Sequence, residues 1–152
     1  MDINDAALRF LERRNRTKKE MKDHLAEKGF SKDDIGQCIS YLENSCYLDD
    51  QRYCGEYLRY SFAKGWGKKK IAANLARLGI SGEEIEEASR SYEEENGVDL
   101  SEEEIKRALR QAEKLAAASA KEDNFPAKLG RKLAYLGYDT ETVYRIVGKY
   151  MK

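Results

Sequence analysis

One histidine, three cysteines, two adjacent aspartates and a glycine–lysine run are the residues of this 152-residue chain whose types could support catalysis or metal binding. His24 has Glu20 one helical turn before it and Lys28 one turn after, but no serine or cysteine nucleophile is paired with it by a known motif. It reads as a solvated residue on a charged helix. Gly65-Trp66-Gly67-Lys68-Lys69-Lys70 has the composition of a phosphate loop without its GxxxxGK[ST] spacing or a preceding strand. It reads as a helix break followed by a basic helix start. Asp49-Asp50 could offer carboxylates to a metal; more simply, Asp50 caps a helix beginning near Gln51. Cys38, Cys46 and Cys54 form no CxxC and have only His24 to join them, so they read as small buried apolar residues rather than a zinc site. No catalytic residue, metal or cofactor is expected.

The cationic clusters carry more information. They are Arg13, Arg14, Arg16, Lys18 and Lys19, then Lys64, Lys68, Lys69 and Lys70 around Trp66, then Lys128, Arg131 and Lys132. If repeated units stack, these clusters fall along one side as a basic track suited to a polyanion or an acidic protein surface. Several stand at predicted helix N-termini, where a cation opposes the helix dipole at a cost of ~0.3–1 kcal/mol. That misfit favours a binding role for Lys18, Lys19, Lys68 and Lys69. Of the nearby aromatics Tyr53, Tyr57, Tyr60, Phe62 and Trp66, most fall at core spacing, and Tyr60 and Trp66 are the surface candidates.

The elements that position these residues repeat. Met21-x3-Leu25-x3-Gly29-Phe30, Ile71-x3-Leu75-x3-Gly79-Ile80 and Leu129-x3-Leu133-x3-Gly137-Tyr138 share one template, and each is followed by Ile or Val six residues after its glycine. Apolar residues four apart mark a helix face, and the glycine suits a left-handed helix ending. Ser31, Ser81 and Asp139 then stand as N-caps of a following helix. Thr17-x2-Glu20, Ser81-x2-Glu84 and Ser101-x2-Glu104 match capping boxes. A further helix precedes each pair, giving nine helices in three triplets over residues 1–49, 50–95 and 96–152, with an acidic linker near 93–104 as the expected hinge. Side-by-side stacking would bury apolar surface that a ~45-residue triplet cannot bury alone. The expected fold is therefore all-α: three tandem three-helix repeats in an elongated, curved array.

Composition agrees. Charged residues reach 37%, yet aromatics remain at 10%, which argues against a disordered chain. The 28 basic and 28 acidic residues cancel in sum but segregate along the chain, with seven bases to one acid over residues 51–80 and eleven acids to one base over 81–104. No signal-peptide pattern opens the sequence and no apolar run approaches a bilayer's thickness, so a cytoplasmic, non-membrane protein is expected.

Specific runs then point to a family. Ala7-Leu8-x2-Leu11-x2-Arg14-x2-Thr17-x2-Glu20-Met21 opens the first repeat. Tyr47-Leu48-Asp49-Asp50-x2-Tyr53 and Gly65-x-Gly67-x3-Ile71 mark the second, and Lys128-x4-Leu133-x2-Leu136-Gly137-Tyr138 the third. Together they resemble the RecX family of bacterial regulators of the RecA recombinase. The resemblance covers nearly the whole chain. It departs at the acidic stretch Glu93 to Glu104 and at Tyr135, where many relatives carry a basic residue. It implies three three-helix repeats that bind the RecA filament on single-stranded DNA and reduce its strand-exchange, ATPase and coprotease activities, as a monomer with at most weak direct DNA contact. The alternative is an autonomous DNA-binding protein using its basic helix-turn-helix pairs.

Overall fold

The computed structural model describes residues 1–151; Lys152, the last residue of the third expected repeat, lies outside them. Among the described residues there are nine helices and no strand. They are α1 (Ile3–Arg13), α2 (Lys18–Glu27), α3 (Lys32–Asn44), α4 (Asp50–Ala63), α5 (Lys68–Arg77), α6 (Gly82–Asn96), α7 (Leu100–Ser119), α8 (Phe125–Tyr135) and α9 (Thr140–Gly148). Extensive helix packing is confined to the triplets α1–α3, α4–α6 and α7–α9.

Each triplet has its own apolar core. Met21 and Leu25 of α2 meet Ala7, Ile39 and Leu42 in the first; Ile71 and Leu75 of α5 meet Cys54, Leu58 and Ala88 in the second. Leu129 and Leu133 of α8 meet Ala108, Ala112 and Ile146 in the third. The four-residue spacing therefore buries the central helix of every triplet. Gly29, Gly79 and Gly137 take φ of +93°, +89° and +97°, the left-handed ending that their position demands. Thr17 and Ser81 complete capping boxes, and Ser31 and Asp139 cap α3 and α9.

Several expectations are corrected. Asp49, not Asp50, caps α4. Asp99, not Ser101, caps α7, its carboxylate accepting from the N–H groups of Ser101 and Glu102. Local patterns misassign both because Asp50 and Glu104 act across the chain, as described below. The acidic linker is mostly helix: only Gly97–Asp99 separate α6 from α7, and Glu93 accepts the Leu100 N–H at 2.9 Å, pinning the turn. Cys38 and Cys54 are buried, but Cys46 is exposed and holds a left-handed φ of 63°.

The triplets join end to end through their central helices. The α2 N-terminus abuts the α5 C-terminus, where Thr17 Oγ1 donates to the Leu78 carbonyl at 2.6 Å. The α5 N-terminus abuts the α8 C-terminus, where the N–H groups of Gly67 and Lys69 donate to the carbonyls of Leu136 (2.7 Å) and Gly137 (3.0 Å). Helix ends leave unpaired N–H groups at one end and carbonyls at the other, so head-to-tail placement lets each satisfy the next with dipoles aligned. Side-by-side burial of apolar faces was expected; these junctions are mainly polar, with Trp66 touching the cores on both sides.

Candidate partner and nucleic-acid interface

Each junction uses a buried carboxylate in the same way. Asp50, from the first helix of the second triplet, accepts the Lys18 N–H at 2.9 Å, and Glu104, from the first helix of the third, accepts the Lys68 N–H at 2.7 Å. Burial pushes both carboxyls above the ordinary range, even though these N–H groups favour the charged form. Glu104 also pairs with buried Arg107, which donates to the Trp66 carbonyl and lies 4.2 Å from the Phe62 ring centroid. The α5 start that resembled a phosphate loop is thus occupied from within the chain: its N–H groups already have carboxylate and carbonyl partners.

The dipole misfit disappears for three of the four lysines it favoured, and Lys69 alone keeps it. Lys19 donates its ammonium to the Arg77 carbonyl at 3.1 Å, Lys68 pairs with Asp139 at 3.5 Å and Lys18 with Glu43 at 3.4 Å. Each lies near negative groups of the adjoining helices, so an external anion is not needed to explain it. Arg14 pairs with Glu20 at 2.6 Å, which raises its pKa, and Arg16 lies over Phe10. His24 is half-buried and not a free surface residue: it stacks parallel on Phe10 with centroids 3.8 Å apart. Burial, then Lys28 and Arg16, hold its pKa below the usual value. Lys128 is held by Ser119 and Glu122. Among the described residues no carboxylate lies within ion-pair distance of Arg13, Lys64, Lys69, Lys70, Arg131 or Lys132.

A line of rings runs from paired Arg14 to two of the uncompensated cations, Lys64 and Lys70. Arg14 reaches the Tyr53 hydroxyl at 3.4 Å, and Tyr53, Tyr57 and Tyr60 follow one another along α4 with centroids 6.3 Å apart at each step. Tyr60 meets Trp66 edge-on at 5.7 Å. The Lys70 ammonium lies 4.4 Å from the Trp66 centroid and 4.8 Å from that of Tyr135 on α8, while Lys64 covers Tyr60 at 5.5 Å. This ladder runs from the α1–α2 turn to the third triplet. Tyr135 went unnoticed as a binding residue in the sequence. Its signal was available, since it stands one helical turn beyond Arg131, but its proximity to Lys70 depends on the junction.

The face that this ladder occupies runs over a chain whose family can be placed directly. The family model for RecX, first three-helix domain, matches residues 5–42, and that for RecX, second three-helix domain, matches residues 49–88. The chain belongs to the RecX family. It is 30% identical over 146 residues to a regulatory protein RecX of Legionella pneumophila (strain Corby), covering 93% of this chain and 90% of that one. It is 31% identical over 147 residues to one from Clostridium perfringens (strain 13 / Type A), where it spans 66% of the relative's length. A crystal structure of RecX from Lactobacillus salivarius superposes with a TM-score of 0.78 at 26% identity, over 97% of this chain and 94% of that one. The RecX fold and its helical-repeat architecture are thereby shared.

Among the described residues no group of His, Cys, Asp and Glu is placed to hold a metal, and no helix is long and apolar enough to cross a membrane.

Proposed function

We propose that this chain is a binding regulator, not an enzyme, that acts in the cytoplasm as a monomer on the RecA filament formed on single-stranded DNA and lowers the filament's ATPase, recombinase and coprotease activities. The observation that carries this reading is the set of cations with no carboxylate partner among the described residues (Lys64, Lys69, Lys70, Arg131 and Lys132) on a polar-jointed stack of RecX type. A rod of repeats offers an extended surface, and uncompensated cations along it suit a polyanionic or acidic groove. The residues held by internal pairs, Lys18, Lys19, Lys68 and Lys128, contribute less to the partner than the free ones.

The test is ATP hydrolysis by a preformed RecA–single-stranded-DNA filament with this protein titrated in at two DNA concentrations. Substoichiometric loss of hydrolysis that excess DNA does not reverse is the expected result. A double variant, Lys69→Glu with Lys132→Glu, should stay helical and lose most of the inhibition. No change in hydrolysis at any ratio would overturn the reading, and loss reversed by added DNA would point to simple competition for the strand.

A further inference from the structure

We propose that the ring–cation ladder across the second junction is a stacking platform for single-stranded nucleic acid, with unpaired bases laid on Tyr60, Trp66 and Tyr135 and phosphates taken by Lys64, Lys69 and Lys70. The inference deepens the preceding reading and rests on it only for the biological setting. Its grounds are geometric. Tyr60 and Tyr135 are 52% and 72% exposed, on opposite sides of the junction, and half-buried Trp66 lies between the cores that the junction joins. Lys70 spans the Trp66 and Tyr135 rings and so links the two triplets.

Charge separates this ladder from the paired lysines at the helix starts. Lys18, Lys19 and Lys68 are each compensated by a carboxylate or a helix-end carbonyl. Lys64 and Lys70 meet ring faces instead; a base that stacks on such a face displaces the ammonium, which has no carboxylate to hold it and passes to the phosphate. An acidic protein surface would meet the cations and pack on the rings as well, but it carries no regular series of planar faces to stack on three of them. A duplex would meet the cations but keeps its base faces stacked inside. Only a single strand offers phosphates and free base faces together, and each base stacked on an aromatic contributes about fivefold or more in affinity.

Trp66 is the only tryptophan, so its emission reports on the centre of the ladder. The experiment titrates a thymidine oligonucleotide of about 12 nucleotides, within the span that such surfaces cover, against a duplex of equal length and against polyglutamate. The oligonucleotide is expected to quench Trp66. Tyr60→Ala and Tyr135→Ala should each weaken its binding about tenfold with the salt slope unchanged, and Lys64→Gln should lower that slope by about 0.7. Circular dichroism establishes that the variants keep their helices. Equal binding of the duplex, equal quenching by polyglutamate, or wild-type affinity in both tyrosine variants would overturn the proposal. Filament inhibition that persists without oligonucleotide binding would sink this inference alone, whereas oligonucleotide binding without filament inhibition would sink only the preceding reading.

Discussion

Glycine does two different jobs at equivalent positions of this chain. Gly29 needs only its left-handed φ, because a Cβ there would meet nothing within 4 Å. Gly137 needs the same conformation and also the missing side chain, since a Cβ would lie 2.5 Å from the Lys70 backbone nitrogen. Gly29→Ala should therefore cost about 1 kcal/mol of backbone strain. Gly137→Ala should cost about 3 kcal/mol, because forced overpacking of the junction adds to that strain. Urea denaturation compares them directly, and equal losses would show that the close approach carries no weight. Glu104 gives a second prediction. A carboxyl that holds its proton more tightly when folded makes the native state lose stability as pH rises through the raised value. Glu104→Gln keeps an oxygen for the Lys68 N–H and removes the ionisation. Thermal melts from the ordinary carboxylate range upward should decline for the unmodified protein and stay flatter for the variant. Parallel curves would assign the decline to other groups.

At the scale of elements, the parts legible in the sequence are those governed by near neighbours. The helix faces, the glycine endings and the Thr17–Glu20 and Ser81–Glu84 boxes all involve residues within one or two turns, and the structure forms them as expected. Ser101 and Glu104 fit the same pattern and do not form the box, because Asp99 already caps α7 and Glu104 is drawn to a helix start 36 residues earlier. Asp50 follows the same rule with Lys18. A carboxylate that serves a distant helix leaves no local periodicity. The aromatic part of the candidate site is hidden for the same reason. Tyr60 and Trp66 stand out by proximity to lysines in the chain, whereas Tyr135 joins them only after α8 has been set against α5.

For the molecule as a whole, the two junctions share a plan and differ in tightness. The second is bridged backbone to backbone at Gly67–Leu136 and Lys69–Gly137, with Tyr138 donating to the Gly65 carbonyl at 2.6 Å. The first is bridged through side chains, by Thr17, Lys19, Asp50, Asn15 and Arg14. Gly67 allows the close approach, and Thr17, at the matching place, interposes a hydroxyl. Opening of a region requires breaking only the bonds that hold it, so we expect bending at the first junction ahead of the acidic connection before α7. Hydrogen exchange should show the Lys18 amide exchanging faster than those of Gly67 and Lys69. Equal protection at both junctions would place the bending elsewhere.

The chain's only proline follows from this architecture. Three residues before Met21 and Ile71 stand Lys18 and Lys68, whose N–H groups are taken by the next triplet's carboxylate. Three residues before Leu129 stands Pro126, which has no N–H to give. Head-to-tail contacts that do not close into a ring propagate without limit unless something ends them. Pro126 removes one latch from the stacking grammar: a unit arriving at α8 finds no N–H for its carboxylate at the position that takes one in both internal junctions.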